Sequence, residues 1–175
     1  MAMVLIAIIG RRQFADYGFK LPRGSEVWKA LFTGFLVGTM LSVSAEFSGF
    51  KLTWMGQLPF AYVILIFWIG APIQEEIIFR GLFQGYLATH VKSSIIIWKW
   101  KLAAPAFIGA IAFSLVHLAL LSVEATLGGV LITVVGAFIL GVIAGHFLSE
   151  TGSLIGSIIV HALFNLTGAV FGLLC

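Results

Sequence analysis

The sequence predicts an all-α membrane protein, a polytopic transmembrane bundle of about five full spans after a short apolar N-terminal segment. Its 175 residues are 61% hydrophobic and only 10% charged, and the mean hydropathy is +1.12. Soluble domains are about 45–50% apolar and about 25% charged. The apolar residues also form separate stretches of roughly the 20 residues that an α-helix needs to cross a bilayer. These observations exclude a soluble globular domain.

The remaining composition excludes several other classes. The one cysteine, Cys175, allows no internal disulfide and no cysteine metal cluster. No acidic or basic tail points to nucleic acid. By length we expect one domain, which we divide into an N-terminal part (1–57) with the first span and a core of four spans (58–175).

The N-terminal part begins with an apolar segment that is too short to span a bilayer. Met1–Gly10 lacks the basic region and cleavage site of a signal peptide, so we expect an interfacial segment or the remainder of a longer helix. A basic connector follows at Arg11–Glu26. The first span, about Val27–Ala45, contains Gly34 and Gly38, whose small-xxx-small spacing permits close helix contact.

The second span is too long for a straight crossing. It runs from about Leu58 to Ala88, which is ~45 Å at ~1.5 Å per residue and exceeds a ~30 Å hydrocarbon core. It must therefore tilt, kink or emerge. We expect Pro72 to kink it, and a broken helix there would open a cavity at membrane depth.

Three further spans follow a second basic loop, His90–Lys101, in which Trp98 and Trp100 are placed as interfacial anchors. Short turns separate these spans. Their expected bounds are about Leu102–Val123, Leu127–Leu148 and Ser153–Leu174.

The basic residues predict a topology. Threading the spans alternately puts loops 11–26 and 90–101 and the turn 149–152 on one side, and these hold seven of the ten Lys and Arg residues. The loops on the other side hold only Lys51. By the positive-inside rule, the basic side is cytoplasmic, and we expect an integral protein of the plasma membrane.

Ionisable side chains interrupt the second span in the stretch Ala71–Gly81. Glu75, Glu76 and Arg80 lie inside an apolar run, where each costs roughly 2.5–3.5 kcal/mol near the bilayer centre. Such residues usually face a protein interior or a wet cavity and serve a function. Arg80 is four residues after Glu76 and shares its side of the helix, so the two can pair.

Other spans carry polar side chains to similar depths. His117 lies ~22 Å along the third span, and His161 and Asn165 lie ~12–18 Å along the fifth, close to the ~20 Å of the glutamates. His161 and Asn165 share one helix face. Three helices therefore deliver carboxylates, imidazoles and an amide to one level.

This set suits hydrolysis of an amide by activated water. A carboxylate and a histidine can act together as general base and orienter, and a second histidine with an amide NH2 can stabilise an oxyanion. Two glutamates and two histidines are also adequate zinc ligands, although the usual His-Glu-x-x-His motif is absent. A proton or ion relay in a transporter is a further alternative, but the internal repeats of transporters are missing. Single histidines also serve as packing hydrogen bonders.

The order and spacing of these residues resemble a known family. Glu-Glu-x-x-x-Arg (Glu75, Glu76, Arg80), Phe-x-x-x-His (Phe113, His117) and His-x-x-x-Asn (His161, Asn165) resemble the three motifs of the CPBP family. These are the CAAX protease and bacteriocin-processing (Abi) intramembrane endopeptidases, related to the Ras-converting CAAX endopeptidase. The resemblance covers Leu58 to the end of the chain.

The resemblance implies a role for each residue. Glu75 would activate water with His117, while His161 and Asn165 would stabilise the oxyanion; Glu76 and Arg80 would support the site. It implies a protease that needs no cofactor, and a zinc-dependent version would use Glu75, His117 and His161. Adjacent helix residues point ~100° apart, so the sequence does not choose which glutamate faces the cavity.

The resemblance leaves the substrate open. It implies cleavage of a membrane-anchored or prenylated protein or peptide. The chain has fewer spans than is typical of CAAX-processing members, and members from prokaryotes are linked to bacteriocin maturation, self-immunity or regulation. The lean composition indicates a prokaryotic membrane. A non-enzymatic membrane scaffold or immunity protein of the same fold is the alternative, and oligomeric state is not predicted.

Overall fold

The computed structural model describes residues 1–9, 13–47, 59–97, 99–123 and 126–174. The main elements are α1 (Ala2–Ile9), α2 (Gly24–Phe47), α3 (60–90), β1 (Ser94–Ile97), β2 (Trp100–Ala103), α4 (Ala104–Val116), α5 (Leu127–Thr151) and α6 (Leu154–Leu174). Short 3-10 helices lie at Phe14–Tyr17 and His117–Val123. The predicted all-α class is confirmed. Lys51 and Glu124, expected in loops, and Cys175 lie outside the described residues.

Four helices in the described part of the chain are long and apolar enough to cross a membrane. They are Gly24–Ser44, Ala104–Ser122, Leu127–Thr151 and Leu154–Phe171. The remaining predicted span corresponds to α3, a continuous helix that alternates between α and π geometry. The protein is therefore an integral membrane protein built from a helical bundle.

Helix α3 continues through Pro72 without a break, and whether it kinks there stays a prediction. A π segment, Val63–Gly70, leads into an α turn, Ala71–Glu76, and a second π segment, Ile77–Gln84, follows. The backbone stays helical through Gly70 (φ −66°, ψ −50°). Proline is tolerated because it enters in the first turn of the α segment, where its missing N–H leaves no bond unmade within that segment.

Helices α2 and α6 pack closely along the predicted small-residue pair. A Cβ built on Gly34 would lie 2.9 Å from Val160 Cα, and one built on Gly38 would lie 2.9 Å from Phe164 Cα and overlap Thr167 Oγ1. Real Cβ atoms essentially never approach a neighbour that closely. The predicted close contact at this pair is confirmed, and the two glycines fix how near α2 comes to the helix that carries His161.

Gly38→Ala is expected to destabilise the bundle by about 1–3 kcal/mol because the added methyl group overpacks the α2–α6 contact. Gly136→Ala is the matched control, since among the described residues a Cβ there comes within 4 Å of the Phe164 ring alone, at an ordinary 3.6 Å. The control variant should equal the wild type or gain up to about 1 kcal/mol of helix propensity. Thermal unfolding in detergent measures both variants. Equal stability of the Gly38 variant and the wild type would contradict this packing.

The N-terminal part packs against the same core. Ile6 of α1 is fully buried, and Tyr17 is 3% exposed; Gly85 of α3 lies so close to Tyr17 that a Cβ would come 2.9 Å from its ring. Gly18 takes the left-handed conformation (φ +88°), and its carbonyl accepts the Leu154 amide at 2.9 Å. The connector is thus fixed at the start of α6. Arg11 and Arg12 lie outside the described residues.

The second basic loop contains an antiparallel hairpin that the sequence did not predict. Strands β1 and β2 pair with Ser94 opposite Ala103. Leu102, expected at the start of the third span, lies in β2 and is buried. Trp100 stacks on His146 of α5 with ring centroids 5.7 Å apart. Trp98 lies outside the described residues.

Candidate active site

Glu76 and Arg80 form a fully buried ion pair on one face of α3. Both side chains are 0% exposed, and Arg80 Nε lies 3.2 Å from Glu76 Oε2. The pairing predicted from the i, i+4 spacing is confirmed. An unpaired charge at this depth would carry the full desolvation penalty, so each residue makes the burial of the other tolerable.

Glu75, the adjacent residue, faces a different environment. Its side chain is 34% exposed and lines a cavity of about 350 Å³ beside the first π segment. The other cavity residues come from the same helix: Leu65, Ile66, Gly70, Ala71 and Gln74. Of the two glutamates, Glu75 is therefore the one that a molecule in the cavity can reach.

His161 lies between the two glutamates. Its Nδ1 is 2.8 Å from Glu76 Oε1, and since an ionised carboxylate only accepts hydrogen bonds, the imidazole donates from Nδ1. Its Nε2 is 3.8 Å from Glu75 Oε2, which is too long for a hydrogen bond. Glu76 thus fixes the ring orientation, and Nε2 is the nitrogen directed toward Glu75.

The ring of Phe113 joins the charged cluster to both histidines. The Arg80 guanidinium carbon lies 4.3 Å from the ring centroid, a cation–π distance. The ring also makes edge contacts with His117 at 5.0 Å and His161 at 5.6 Å between centroids. Phe113 is 1% exposed. Phe113 therefore packs against both imidazoles and the guanidinium.

His117 lies where α4 changes into a 3-10 helix. At this C-terminal cap, backbone N–H groups donate to the carbonyls of Leu115 and Ser114. The imidazole Nδ1 lies 2.9 Å from the Phe113 carbonyl oxygen and must donate, because a carbonyl oxygen only accepts. In the neutral ring, Nε2 is then an acceptor, as a general base requires.

Asn165 makes a hydrogen bond across the bundle to α3. Its Nδ2 donates to the carbonyl of Phe67 at 2.9 Å. Because the amide NH2 has two hydrogens, the second one is available to another acceptor. Asn165 and His161 lie one turn apart on α6, so both side chains reach α3 from the same helix face.

A buried polar row continues from the ion pair along α3. Gln84, eight residues after Glu76, is 3% exposed and donates to the Gly145 carbonyl at 2.9 Å and to Ser149 Oγ at 3.2 Å. A Cβ on Gly141 would lie 3.2 Å from Arg80 Nη2. The glycines of α5 therefore make room for this row rather than only for apolar packing.

The structure brings together most of the predicted residues. Glu75, Glu76, Arg80 and His161 form one contact group, and His117 joins it through Phe113. Asn165 contacts α3 at Phe67, two turns before Glu75 along the helix. The Glu75 carboxylate lies 3.8 Å from His161 Nε2, and whether one water molecule bridges Glu75 and His117 stays a prediction.

Sequence reasoning missed two participants. Phe113 was part of a motif but had no assigned role, and a phenylalanine in an apolar span gives no signal of its own. Gln84 had a readable signal, because a polar series at 76, 80 and 84 in an apolar run marks one buried face of a helix.

The zinc-dependent alternative gains no support from the arrangement of ligands. In the part of the chain that the structure describes, no group of three or more His, Cys, Asp and Glu side chains is arranged to hold a metal ion. His161 Nδ1 and His117 Nδ1 are each engaged in a hydrogen bond, so each ring has one nitrogen left for other chemistry.

The protein is therefore an integral membrane helical bundle in which a carboxylate at a cavity, two hydrogen-bonded imidazoles and a buried ion pair lie among apolar helices. A family model described as type II CAAX prenyl endopeptidase, Rce1-like, matches residues 56–167. Because this is more than half of the chain, the protein belongs to that family, and the resemblance drawn from the three motifs is confirmed. The family indicates a CAAX-type intramembrane endopeptidase, a hydrolase. No curated protein matches the chain, and no solved structure does.

Proposed function

We propose that this protein cleaves a peptide bond of a membrane-anchored, prenylated substrate with water activated by Glu75 and His117. The observation that carries the proposal is the division of the two glutamates. Glu76 is fully buried in its ion pair with Arg80, whereas Glu75 lines the cavity and about one-third of its side chain is exposed. A general base must reach the water it deprotonates, and Glu75 satisfies this requirement.

In the proposed first step, Glu75 takes a proton from water, and the resulting hydroxide forms a bond to the carbonyl carbon of the scissile peptide. His117 orients the water through Nε2, the nitrogen that its bond to Phe113 leaves available. General-base catalysis by a positioned group contributes typically about 10²–10⁴-fold. No serine or cysteine nucleophile takes part.

The oxyanion of the tetrahedral intermediate requires hydrogen-bond donors. We assign this role to the second N–H of Asn165 and to His161 in its imidazolium form, in which Nε2 carries a hydrogen while the Nδ1–H stays bonded to Glu76. The intermediate then collapses: the C–N bond breaks, and Glu75 returns its proton to the departing amine nitrogen. Glu76 and Arg80 support these steps by holding the His161 ring.

The substrate class comes from the family description, which names a CAAX prenyl endopeptidase. A prenyl chain suits this site, because the site lies among apolar helices that are long enough to cross a membrane. We expect the substrate to arrive from the cytoplasmic side, where the basic loops are predicted to lie.

Purified protein in liposomes is expected to cleave a farnesylated peptide ending in a CAAX sequence and to leave the unprenylated peptide largely intact. Mass spectrometry of the products locates the cleaved bond. His117→Ala should lower the rate by on the order of 100-fold or more, because the water loses its orienter. The control is His90→Ala, which changes an exposed histidine at the end of α3 and should retain full activity.

Two results would contradict parts of this proposal. Loss of activity with a chelator and recovery with zinc would replace water activation by Glu75 with metal chemistry. Absence of cleavage for every prenylated and unprenylated peptide, together with full biological activity of the His117 variant, would favour the non-enzymatic scaffold or immunity function.

A further inference from the structure

We propose that the segment 17–20, the connector clamp, is a positioning element for His161. It holds the first turn of α6 against α3 beside Arg80 and thereby keeps the hydrogen bond between His161 and Glu76. The clamp precedes residues 56–167, which match the family model. Its effect on catalysis rests on the proposed function, in which His161 stabilises the oxyanion. Its effect on the hydrogen bond does not depend on that function.

The clamp holds the start of α6 through its main chain. The Gly18 carbonyl accepts the Leu154 amide at 2.9 Å, and the Lys20 carbonyl accepts the Ser153 hydroxyl at 2.7 Å. A Cβ on Gly18 would lie 2.8 Å from Leu154 Cγ, and the left-handed backbone at Gly18 (φ +88°) also favours glycine. Two hydrogen bonds from successive residues therefore tie the first turn of α6 to the clamp.

The same clamp packs against α3 directly after Arg80. A Cβ on Gly81 would lie 3.4 Å from the Tyr17 carbonyl and 3.4 Å from Leu154 Cδ1, so the clamp and α6 both reach α3 at this residue. One turn later, a Cβ on Gly85 would lie 2.9 Å from the ring of Tyr17, which is only 3% exposed. The clamp, α3 and α6 thus meet at one closely packed point.

His161 lies a short distance along α6 from that point. It follows Leu154 by seven residues, which is about two turns or ~10 Å of helix. Its Nδ1 lies 2.8 Å from Glu76 Oε1 on α3. Hydrogen bonds of this kind are confined to about 2.7–3.2 Å, so a shift of α6 by a fraction of an ångström weakens the contact. The clamp sets where α6 begins relative to α3.

Gly85→Ala tests the clamp without removing any group from the site. The backbone of Gly85 is helical (φ −58°, ψ −47°), so α3 accepts alanine, but the new methyl group displaces the Tyr17 ring. We expect kcat for the farnesylated peptide to fall by about 10–100-fold, as a small misplacement of catalytic groups can cause, with KM nearly unchanged. Tyr17→Leu added to this variant makes room for the methyl group and should restore most of kcat.

Two controls separate the clamp from general effects on the fold. Tyr17→Phe keeps the ring that packs on α3 and should keep the wild-type kcat. Gly168→Ala is the matched glycine control on α6, since among the described residues a Cβ there comes within 4 Å of Ser42 Oγ alone, at 3.8 Å. It should also keep the wild-type kcat. If Gly85→Ala does not fold, Tyr17→Leu alone loosens the clamp and should lower kcat by about tenfold.

A spectroscopic measurement tests the hydrogen bond itself. In protein labelled with ¹⁵N-histidine, the signal of the buried His161 Nδ1–H is the one that disappears in His161→Gln. A hydrogen bond to a carboxylate moves a proton signal downfield and slows its exchange with water. In Gly85→Ala this signal should move upfield and exchange faster, and Tyr17→Leu in the same protein should reverse both changes. A clamp that only adds stability would lower Tm and leave this signal in place.

The results distinguish the inference from the proposed function. A wild-type kcat with an unchanged His161 signal in Gly85→Ala would overturn the inference. A loss of kcat that Tyr17→Leu does not reverse would overturn it too, since the methyl group would then act through α3 alone, and so would a loss without any change in the His161 signal. Full activity of Glu75→Gln and His117→Ala would overturn the proposed function, while the His161 signal would still decide the role of the clamp.

Discussion

Glu75→Gln is expected to reduce cleavage by roughly 10³-fold, within the about 10²–10⁴-fold range of general-base catalysis. Glutamine has nearly the same shape as glutamate but cannot accept the proton of the attacking water. Because the side chain is 34% exposed and lines the cavity, the change leaves no buried charge behind. The Tm should therefore stay within about 2 °C of the wild-type value. Initial rates with the prenylated peptide and thermal unfolding measure the two effects.

The control for this variant is Glu150→Gln, which removes an exposed carboxylate from the far end of α5. Its activity and stability should equal those of the wild type. A Glu75→Gln protein that cleaves at the wild-type rate would assign the base elsewhere. A large fall in Tm would show instead that Glu75 supports the fold.

Which of the two glutamates faces the cavity could not be predicted from the sequence. The motif predicted that Glu75 and Glu76 lie in one apolar span. The four-residue spacing predicted the ion pair between Glu76 and Arg80. The direction of each side chain depends on helix phase, and α3 carries π segments on both sides of the glutamates. Such segments rotate the helix faces relative to a regular α-helix, and no side-chain pattern revealed them. They occur frequently at functional sites.

Features set by side-chain type and spacing were predictable from the sequence. The Gly34 and Gly38 pair predicted a close helix contact, and the structure places Val160 against Gly34 and Phe164 against Gly38. The polar residues in apolar spans predicted the contact between α3 and α6 through His161.

Features set by backbone hydrogen bonding were not predictable in the same way. The Phe67 and Phe113 backbone carbonyls accept hydrogen bonds from the side chains of Asn165 and His117. Every residue has a backbone carbonyl, so no residue type in the sequence marks the ones that accept these bonds. The hairpin at Ser94–Ala103 was missed because its strands are short and lie in a basic stretch with the composition of a loop.

Arg80→Met is expected to cause the largest loss of stability, about 3–5 kcal/mol, because it leaves the Glu76 carboxylate buried without its cation. For a chain of this size that loss lowers Tm by roughly 10 °C or more. The methionine also removes the guanidinium from the Phe113 ring, 4.3 Å from its centroid. Cleavage should be lost as well, since Glu76 holds His161. Unfolding in detergent and the peptide assay measure both effects.

The double variant Glu76→Gln with Arg80→Met separates charge from packing. It removes both charges at similar volume, and the glutamine oxygen still accepts the His161 Nδ1 hydrogen. Most of the lost stability should return, because replacing a buried pair as a whole is often neutral. Activity should not return, since His161 no longer donates to a carboxylate.

The control is Arg23→Met, which breaks a 2.8 Å ion pair between an arginine that is 84% exposed and Glu26. A surface ion pair contributes only about 0–1 kcal/mol to stability. If Arg80→Met lowered Tm no more than Arg23→Met does, the buried ion pair would not stabilise this site.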